Sequence, residues 1–329
     1  ISARRHLEKE NIVLKSSIVS SHRLVDMIGK TTVMQQIFQK IIQFAMIDQP
    51  IIICGETGTG KELAAKCIHR LSDRADKPFV SINCATVPET LLENIFFGHV
   101  KGAFTNAVKK SKGLFEKAHE GFLFLDEVTE LNQNMQAKLL RVLETGEFCP
   151  LGGKNQTTDV RIISATNKPF QKLLPDKGMR KDFFHRLAVI PLELPPLRER
   201  KDDIPLLVEE FLSKNRSHNI KYQSIPDPIF QQLIQYNWPG NIRELFNELN
   251  RFCYTGELLH IKYPDIHDTP DYPFLSDNLP LGEAVALFEK YCVERAIKSA
   301  NGVKTKAAKI LKIDTRTIYN KLKNRLKRE

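Results

Sequence analysis

The stretch Gly55-Glu56-Thr57-Gly58-Thr59-Gly60-Lys61 separates an apolar run, Ile51-Ile52-Ile53-Cys54, from the helically spaced Leu63-Ala64-Ala65-Lys66-Cys67-Ile68. A buried strand that enters a helix through a glycine-rich turn converges backbone N–H groups and a helix N-terminus on one point, and that point is a cradle for a phosphate anion. Glycine in such a turn permits positive φ and a close approach of the backbone. Lys61 then stands where an ammonium reaches the outer phosphates. Glu62 occupies the place where a magnesium-binding Ser or Thr is usual.

The surrounding pattern extends this unit into an α/β domain. Short apolar runs at 50–54, 79–83, 121–125, 160–165 and 189–194 alternate with helical patterns. That alternation predicts a parallel sheet flanked by helices, a P-loop α/β architecture, over residues 23–195. Pro195-Pro196 ends it, and 196–263 reads as a smaller helical lid, helical throughout from Asp203 to about His260. Four prolines between 264 and 280 mark a linker, and 281–329 reads as a compact helical module. Residues 1–22 read as a helical linker with Leu7, Leu14 and Val19 as its apolar positions. The first residue is not Met, which leads us to expect a regulatory domain upstream.

The second half of a hydrolytic site follows at Gly121-Phe122-Leu123-Phe124-Leu125-Asp126-Glu127, a buried-strand pattern ending in two carboxylates. Asp126 at a strand end can hold magnesium, and Glu127 can orient and deprotonate an attacking water. Phosphoanhydride hydrolysis needs both operations. Asn83 ends a neighbouring run, placed to hydrogen-bond Glu127 and sense nucleotide. Asn167 ends another, where its amide would stand near a γ-phosphate. Arg180 and Arg186 are cations spaced to reach an anionic site, including one on an adjacent subunit.

Ordered segments across about 27–260 resemble the AAA+ core of the bacterial enhancer-binding proteins, the activators of sigma-54 RNA polymerase. They are the loop at 55–62, Phe-Phe-Gly-His-Val-Lys-Gly-Ala-Phe-Thr-Asn-Ala at 96–107, and Ala-His-Glu-Gly-Phe-Leu-Phe-Leu-Asp-Glu at 118–127. Leu-Pro-Pro-Leu-Arg-Glu-Arg at 194–200 and Trp-Pro-Gly-Asn-Ile-Arg-Glu-Leu at 238–245 complete the set. The family also has Glu after the loop lysine. The resemblance implies ATP and Mg2+ as cofactors, with Asp126 on the metal and Glu127 with Asn83 as a nucleotide-sensing switch. It implies Arg180 and Arg186 as fingers acting in trans and Arg243 as the lid's sensor. Such sites form between subunits of a ring, usually a hexamer. Gly102-Ala103-Phe104-Thr105-Asn106-Ala107 resembles the loop whose Phe and Thr contact sigma-54; Asn106 departs from the usual Gly, and Asn is the non-glycine residue that best tolerates a left-handed backbone.

The net charge of +10 is concentrated at one end: residues 281–329 carry 13 Lys plus Arg against 5 Asp plus Glu. A basic terminal module points to nucleic acid. Its residues 303–311 and 315–322 read as helix, turn, helix, with Ala307 and Ala308 permitting close crossing and Asp314 or Thr315 capping the second helix. Ile318, Leu322 and Leu326 would face inward. That leaves Thr315, Arg316, Thr317, Asn320 and Lys321, with Lys304 and Thr305, for base edges and phosphates. A stripe of Leu281, Val285, Phe288 and Cys292 is open to two readings, dimerisation or internal core. The segment resembles the Fis-type DNA-binding domain, and a two-fold pair of them would read a pseudo-palindrome.

No apolar run approaches the roughly 20 residues of a membrane helix and no signal peptide opens the chain. Six scattered cysteines have neither metal-ligand nor disulfide spacing, so a cytoplasmic location is expected. The expected function is ATP-driven remodelling of sigma-54 RNA polymerase from DNA-bound upstream sites. The alternative is a DNA-binding regulator for which ATP controls assembly and sigma-54 plays no part.

Overall fold

All of the expected strands form, and they lie in one parallel sheet. They are β1 (Ile51–Cys54), β2 (Phe79–Asn83), β3 (Phe122–Asp126), β4 (Arg161–Thr166) and β5 (Ile190–Glu193), in the spatial order β5-β1-β4-β3-β2. The computed structural model describes residues 22–103, 109–173, 178–215, 224–259, 280–300 and 303–318. It divides into two compact units, Ile1–Ile261 and Lys262–Glu329. Residues 1–21 of the expected 1–22 helical linker, most of the 264–280 linker, Phe104 to Ala107, and Asn320, Lys321, Leu322 and Leu326 lie outside the described residues.

The unbroken apolar run of β1 has a simple cause, because both faces of the sheet are covered. Ile51 and Ile53 face one layer with Phe122, Phe124 and Ile163, under α1 (Thr32–Ala45) and α2 (Lys61–Leu71). Ile52 and Cys54 face the other with Leu123 and Leu125, under α3 (Glu89–Phe97), α4 (Gln133–Thr145) and α5 (Lys181–Leu187). That second layer is rich in aromatic rings, Phe97 stacking on Phe115 at 5.7 Å between centroids. Two buried charges fasten the first layer. Arg161 donates to the carbonyls of Phe44, Ala45 and Gln49 at the C-terminal end of α1, where a cation meets the negative end of the helix dipole. The carboxylate of Asp203 accepts from the backbone N–H groups of Lys30 and Thr31 and from the Thr31 hydroxyl at the other end.

The region after β5 is helical in three described pieces, not throughout: α6 (Ile204–Asn215), α7 (Asp227–Gln235) and α8 (Asn241–Thr255). Pro239 breaks the last two apart, since proline cannot donate to a helix and disfavours helical backbone at the residue before it. Trp238 and Asn241 flank it with left-handed φ of 51° and 56°. The Trp238 indole is fully buried and donates to the Leu233 carbonyl.

In the second unit α9 (Leu281–Ser299) packs on α10 (Lys304–Leu311). Ala307 and Ala308 are buried at this crossing with Val293, Ala296 and Ile318, so small side chains do set the close approach. Lys312 ends α10 in the left-handed region, and helical backbone resumes at residues 315–318. There the N–H groups of Thr317 and Ile318 bond the backbone carbonyl of Asp314. Val285 and Phe288 are exposed within this unit, against the internal-core reading of their stripe.

Candidate functional site

Parallel strands place their carboxyl ends on one edge, and register decides which residues meet there. Thr166 pairs with Cys54, and Asn83 pairs with Asp126. The loop that leaves β1 therefore stands at the same edge as Asn83, Asp126 and the segment after Thr166. The loop's glycines earn their places differently. At φ +82°, Gly58 runs so close to the lid that a Cβ would stand 2.2 Å from the Gly240 carbonyl oxygen. At φ +103°, Gly60 has nothing within 4 Å of that position, so the mouth above the start of α2 is open to an anion.

Lys61 begins α2, is buried, and donates from Nζ to the carbonyls of Gly55 at 2.8 Å and Glu56 at 3.3 Å. Burial pulls this ammonium below its ordinary pKa, while the carboxylates of Glu127 and Asp126 act in the opposite direction. Thr59 turns its hydroxyl to the Glu56 carbonyl, 2.8 Å away. Glu62 points away from the cradle and pairs with Lys66 one turn on. Beside Gly60 a cavity of about 410 Å³ is lined by Met27, Ile28, Leu63, Phe211, Ile242 and Phe246. Its apolar walls suit a planar aromatic base.

The expected Asn83–Glu127 bond is not the one observed. Register sets Asn83 beside Asp126, and its side-chain amide donates to Asp126 Oδ2 at 3.1 Å. Its carbonyl oxygen accepts from the Ala85 N–H. Glu127 adopts a left-handed backbone with φ 51°, a strained state for a non-glycine residue that recurs where geometry matters to function. Its carboxylate accepts from the Asn167 backbone N–H at 3.3 Å, which ties the ends of β3 and β4 together.

Arg243 faces solvent on α8, its Cβ beside the backbone of Gly58. Arg180 forms a two-pronged pair with Asp182, at 3.1 and 2.7 Å, that holds the Asp182 carboxyl down to a pKa of about 2. Arg186 donates to the Leu143 carbonyl and lines a cleft of about 240 Å³ with Gln49, Pro50 and Val160. Those neighbours lie at the amino ends of β1 and β4. Arg186 is thus at the opposite edge of the sheet from its own phosphate loop. Of the sigma-54-loop residues, Gly102 has φ +84° and Ala103 packs against Gly152, while Phe104, Thr105, Asn106 and Ala107 are outside the described residues.

Sequence reasoning missed the contacts that shape the loop from behind. Arg198 grips the Glu56 carboxylate with two bonds of 2.8 and 2.7 Å, which, with help from Asn241, holds Glu56 below the usual carboxylate range. Arg200, almost fully buried, donates to the Thr59 carbonyl at 3.1 Å. The signal was present in the segments at 194–200 and 238–245, in which the resemblance assigns a role only to Arg243.

In the second unit Thr305, Thr315 and Thr317 share an open groove of about 720 Å³ with Lys309 and Lys312. Arg316 is exposed next to it and Lys304 is half-buried at the start of α10. Asp314 lines the same groove; hydroxyl and ammonium groups of this kind can contact phosphates and base edges.

Three family models match successive parts of the chain. A family model for the sigma-54 interaction domain matches residues 27–193, one for an AAA+ ATPase lid domain matches 198–270, and one for the Fis family of bacterial regulatory proteins matches 284–324. The DNA-binding transcriptional activator HyfR of Escherichia coli (strain K12) is 46% identical over 247 residues, covering 74% of this chain and 37% of that protein. The formate hydrogenlyase transcriptional activator of Salmonella typhimurium (strain SL1344) is 40% identical over 91% of this chain and 44% of its own length. The chain therefore spans less than half of either relative. The crystal structure of NtrX from Brucella abortus in complex with ATP matches 98% of this chain and 74% of its own, with 33% identity and a TM-score of 0.65.

Proposed function

Because this chain belongs to the family defined by the sigma-54 interaction domain, an AAA+ P-loop NTPase followed by a Fis-type helix-turn-helix, we propose that it is an ATP-hydrolysing transcription activator of the cytoplasm. It binds upstream DNA through 281–329, assembles into a ring through 23–263, and uses hydrolysis to remodel sigma-54 RNA polymerase. The observation that carries this reading is the common edge of β1, β2, β3 and β4, where the open loop at Gly60, the buried Lys61 and the paired Asp126 and Asn83 converge.

The residues present fit a nucleotide and a magnesium ion. Among the described residues no group of three or more His, Cys, Asp or Glu side chains could hold a metal. A divalent ion would therefore take Asp126 together with phosphate oxygens, the usual arrangement for magnesium. When bound, it supplies charge neutralisation on the phosphates. The loop N–H groups from Gly58 to Glu62 and the Lys61 ammonium orient the β- and γ-phosphates. Glu127 positions and deprotonates the attacking water, its carboxylate steadied by the Asn167 N–H. Asn167 places its amide near the γ-phosphate, and Arg243 senses the nucleotide from the lid. Arg180 and Arg186 act on the nucleotide of a neighbouring subunit, for which the position of Arg186 at the far edge of the sheet is the support. Phe104 and Thr105 engage sigma-54. Thr305, Thr315, Arg316, Thr317, Asn320 and Lys321 contact DNA with Lys304, and the exposed Val285 and Phe288 serve pairing of two such units. Among the described residues no helix is long and apolar enough to cross a membrane.

The test is ATP-dependent open-complex formation on a sigma-54 promoter carrying this protein's operator. Opening is expected with the natural protein and not with Lys61→Ala. One residue favours a second reading: Asn106, where the family usually has Gly, is compatible with a regulator that does not use sigma-54. Thr105→Ala separates the two. Loss of opening with ATP hydrolysis and DNA binding retained supports the activator, and an ATPase that binds DNA yet never opens the promoter supports the alternative.

A further inference from the structure

One buried carboxamide from the lid bonds directly to the phosphate loop. Asn241 is fully buried. Its Nδ2 donates to the Thr57 carbonyl at 3.0 Å and to Glu56 Oε2 at 3.2 Å, and its Oδ1 accepts from the Leu197 N–H at 2.8 Å. The next residue's N–H, on Ile242, donates to the Gly58 carbonyl at 3.0 Å. Three consecutive residues of the loop are therefore bonded to two consecutive residues of the lid. The left-handed backbone of Asn241 aims the side chain at the loop, and asparagine tolerates that conformation better than other residues with a side chain.

This geometry couples two movements. The lid cannot swing away from the sheet without withdrawing the Asn241 amide from Thr57 and the Ile242 N–H from Gly58. Those bonds fix the peptides whose N–H groups form the cradle. Opening of the lid would therefore loosen the cradle, and a formed cradle favours the closed lid. A ligand that holds the cradle holds the lid closed, and release of the ligand requires the bonds to break.

We propose that Asn241 is a positioning residue that latches the lid to the phosphate loop and so sets the rate at which bound nucleotide leaves. The proposal rests on the nucleotide-hydrolysing reading of the site. It assigns Asn241 no contact with the nucleotide, in contrast to Arg243.

The experiment follows release of a fluorescent ADP analogue from the full chain by stopped flow, alongside KM and kcat for ATP and thermal unfolding without nucleotide. Asn241→Gly is the informative variant, because glycine keeps the left-handed backbone without strain and removes only the carboxamide. ADP release is expected to quicken about tenfold, the scale of one or two lost buried hydrogen bonds, with a matching rise in KM. Asn241→Asp keeps the acceptor for Leu197, loses the donor to Thr57 and sets a second carboxylate against Glu56. It is expected to release ADP at least as fast as the glycine variant. Release within twofold of the natural protein in both variants, with only the unfolding temperature lowered, overturns the latch and leaves Asn241 a merely structural residue. Failure of the natural protein itself to bind the analogue or hydrolyse ATP is a different result, and overturns the underlying reading instead.

Discussion

Replacing Gly58 and Gly60 by alanine, one at a time, separates backbone strain from contact with the lid. Both glycines have positive φ, +82° and +103°, so each alanine carries a left-handed penalty of about 1 kcal/mol. Only the Gly58 methyl also collides, 2.2 Å from the Gly240 carbonyl oxygen and 3.1 Å from the Arg243 Cβ. Backbone of the loop or of the lid must then move by more than an ångström, which breaks the bonds from Ile242 to Gly58 and from Asn241 to Thr57, both 3.0 Å in the natural protein. At about 1 kcal/mol for each lost bond, Gly58→Ala should lose about 3 kcal/mol and Gly60→Ala about 1. In a domain of this size that is a fall in Tm of roughly 6–12 °C against roughly 2–4 °C. Differential scanning calorimetry on both variants without nucleotide reads the difference. Equal shifts would refute the claim that the lid presses on Gly58.

Two further outcomes follow from charges. Asp203→Ala removes the acceptor of three bonds at the start of α1 and should lower stability by about 2–3 kcal/mol; an unmoved urea midpoint at constant m-value would count against the cap. The Asp182 carboxyl, lowered from 3.8 to about 2 chiefly by Arg180, contributes stability that is present above its ordinary range and is lost as pH falls through about 2. An NMR titration should find that low midpoint, and Arg180→Ala should move it up towards 3.8; a midpoint indifferent to Arg180 would contradict the pairing.

The sheet was legible because its three central strands are short runs buried on both faces, and because the phosphate loop fixes which run comes first. Which strands become neighbours was not legible, and this is why Asn83 was paired with Glu127. The pairing of Asn83 with Asp126 is a matter of register between two chain segments, which no local pattern encodes. The lid was read as helical throughout from Asp203 to about His260; Pro239 and two left-handed residues divide α7 from α8. Ala307 and Ala308 were legible at the helix crossing because small size at a crossing is a local requirement. Asn241, Arg198 and Arg200 were not legible as loop contacts, since polar side chains about 140 to 185 positions from their partners give no periodic signal. The fate of Phe104 to Ala107 lies outside the described residues.

A subunit with its phosphate loop on one edge of the sheet and Arg186 on the other has two unlike ends. If Arg186 serves a neighbour, copies join head to tail and every contact repeats the same pair of unlike surfaces. Heredity then sees the two ends separately. A Lys61→Ala subunit still lends its arginine, and an Arg186→Ala subunit still offers an intact loop. Mixed together, two individually dead proteins would restore some working sites, whereas among natural subunits Arg186→Ala would disable the site of the neighbour it serves and Lys61→Ala only its own.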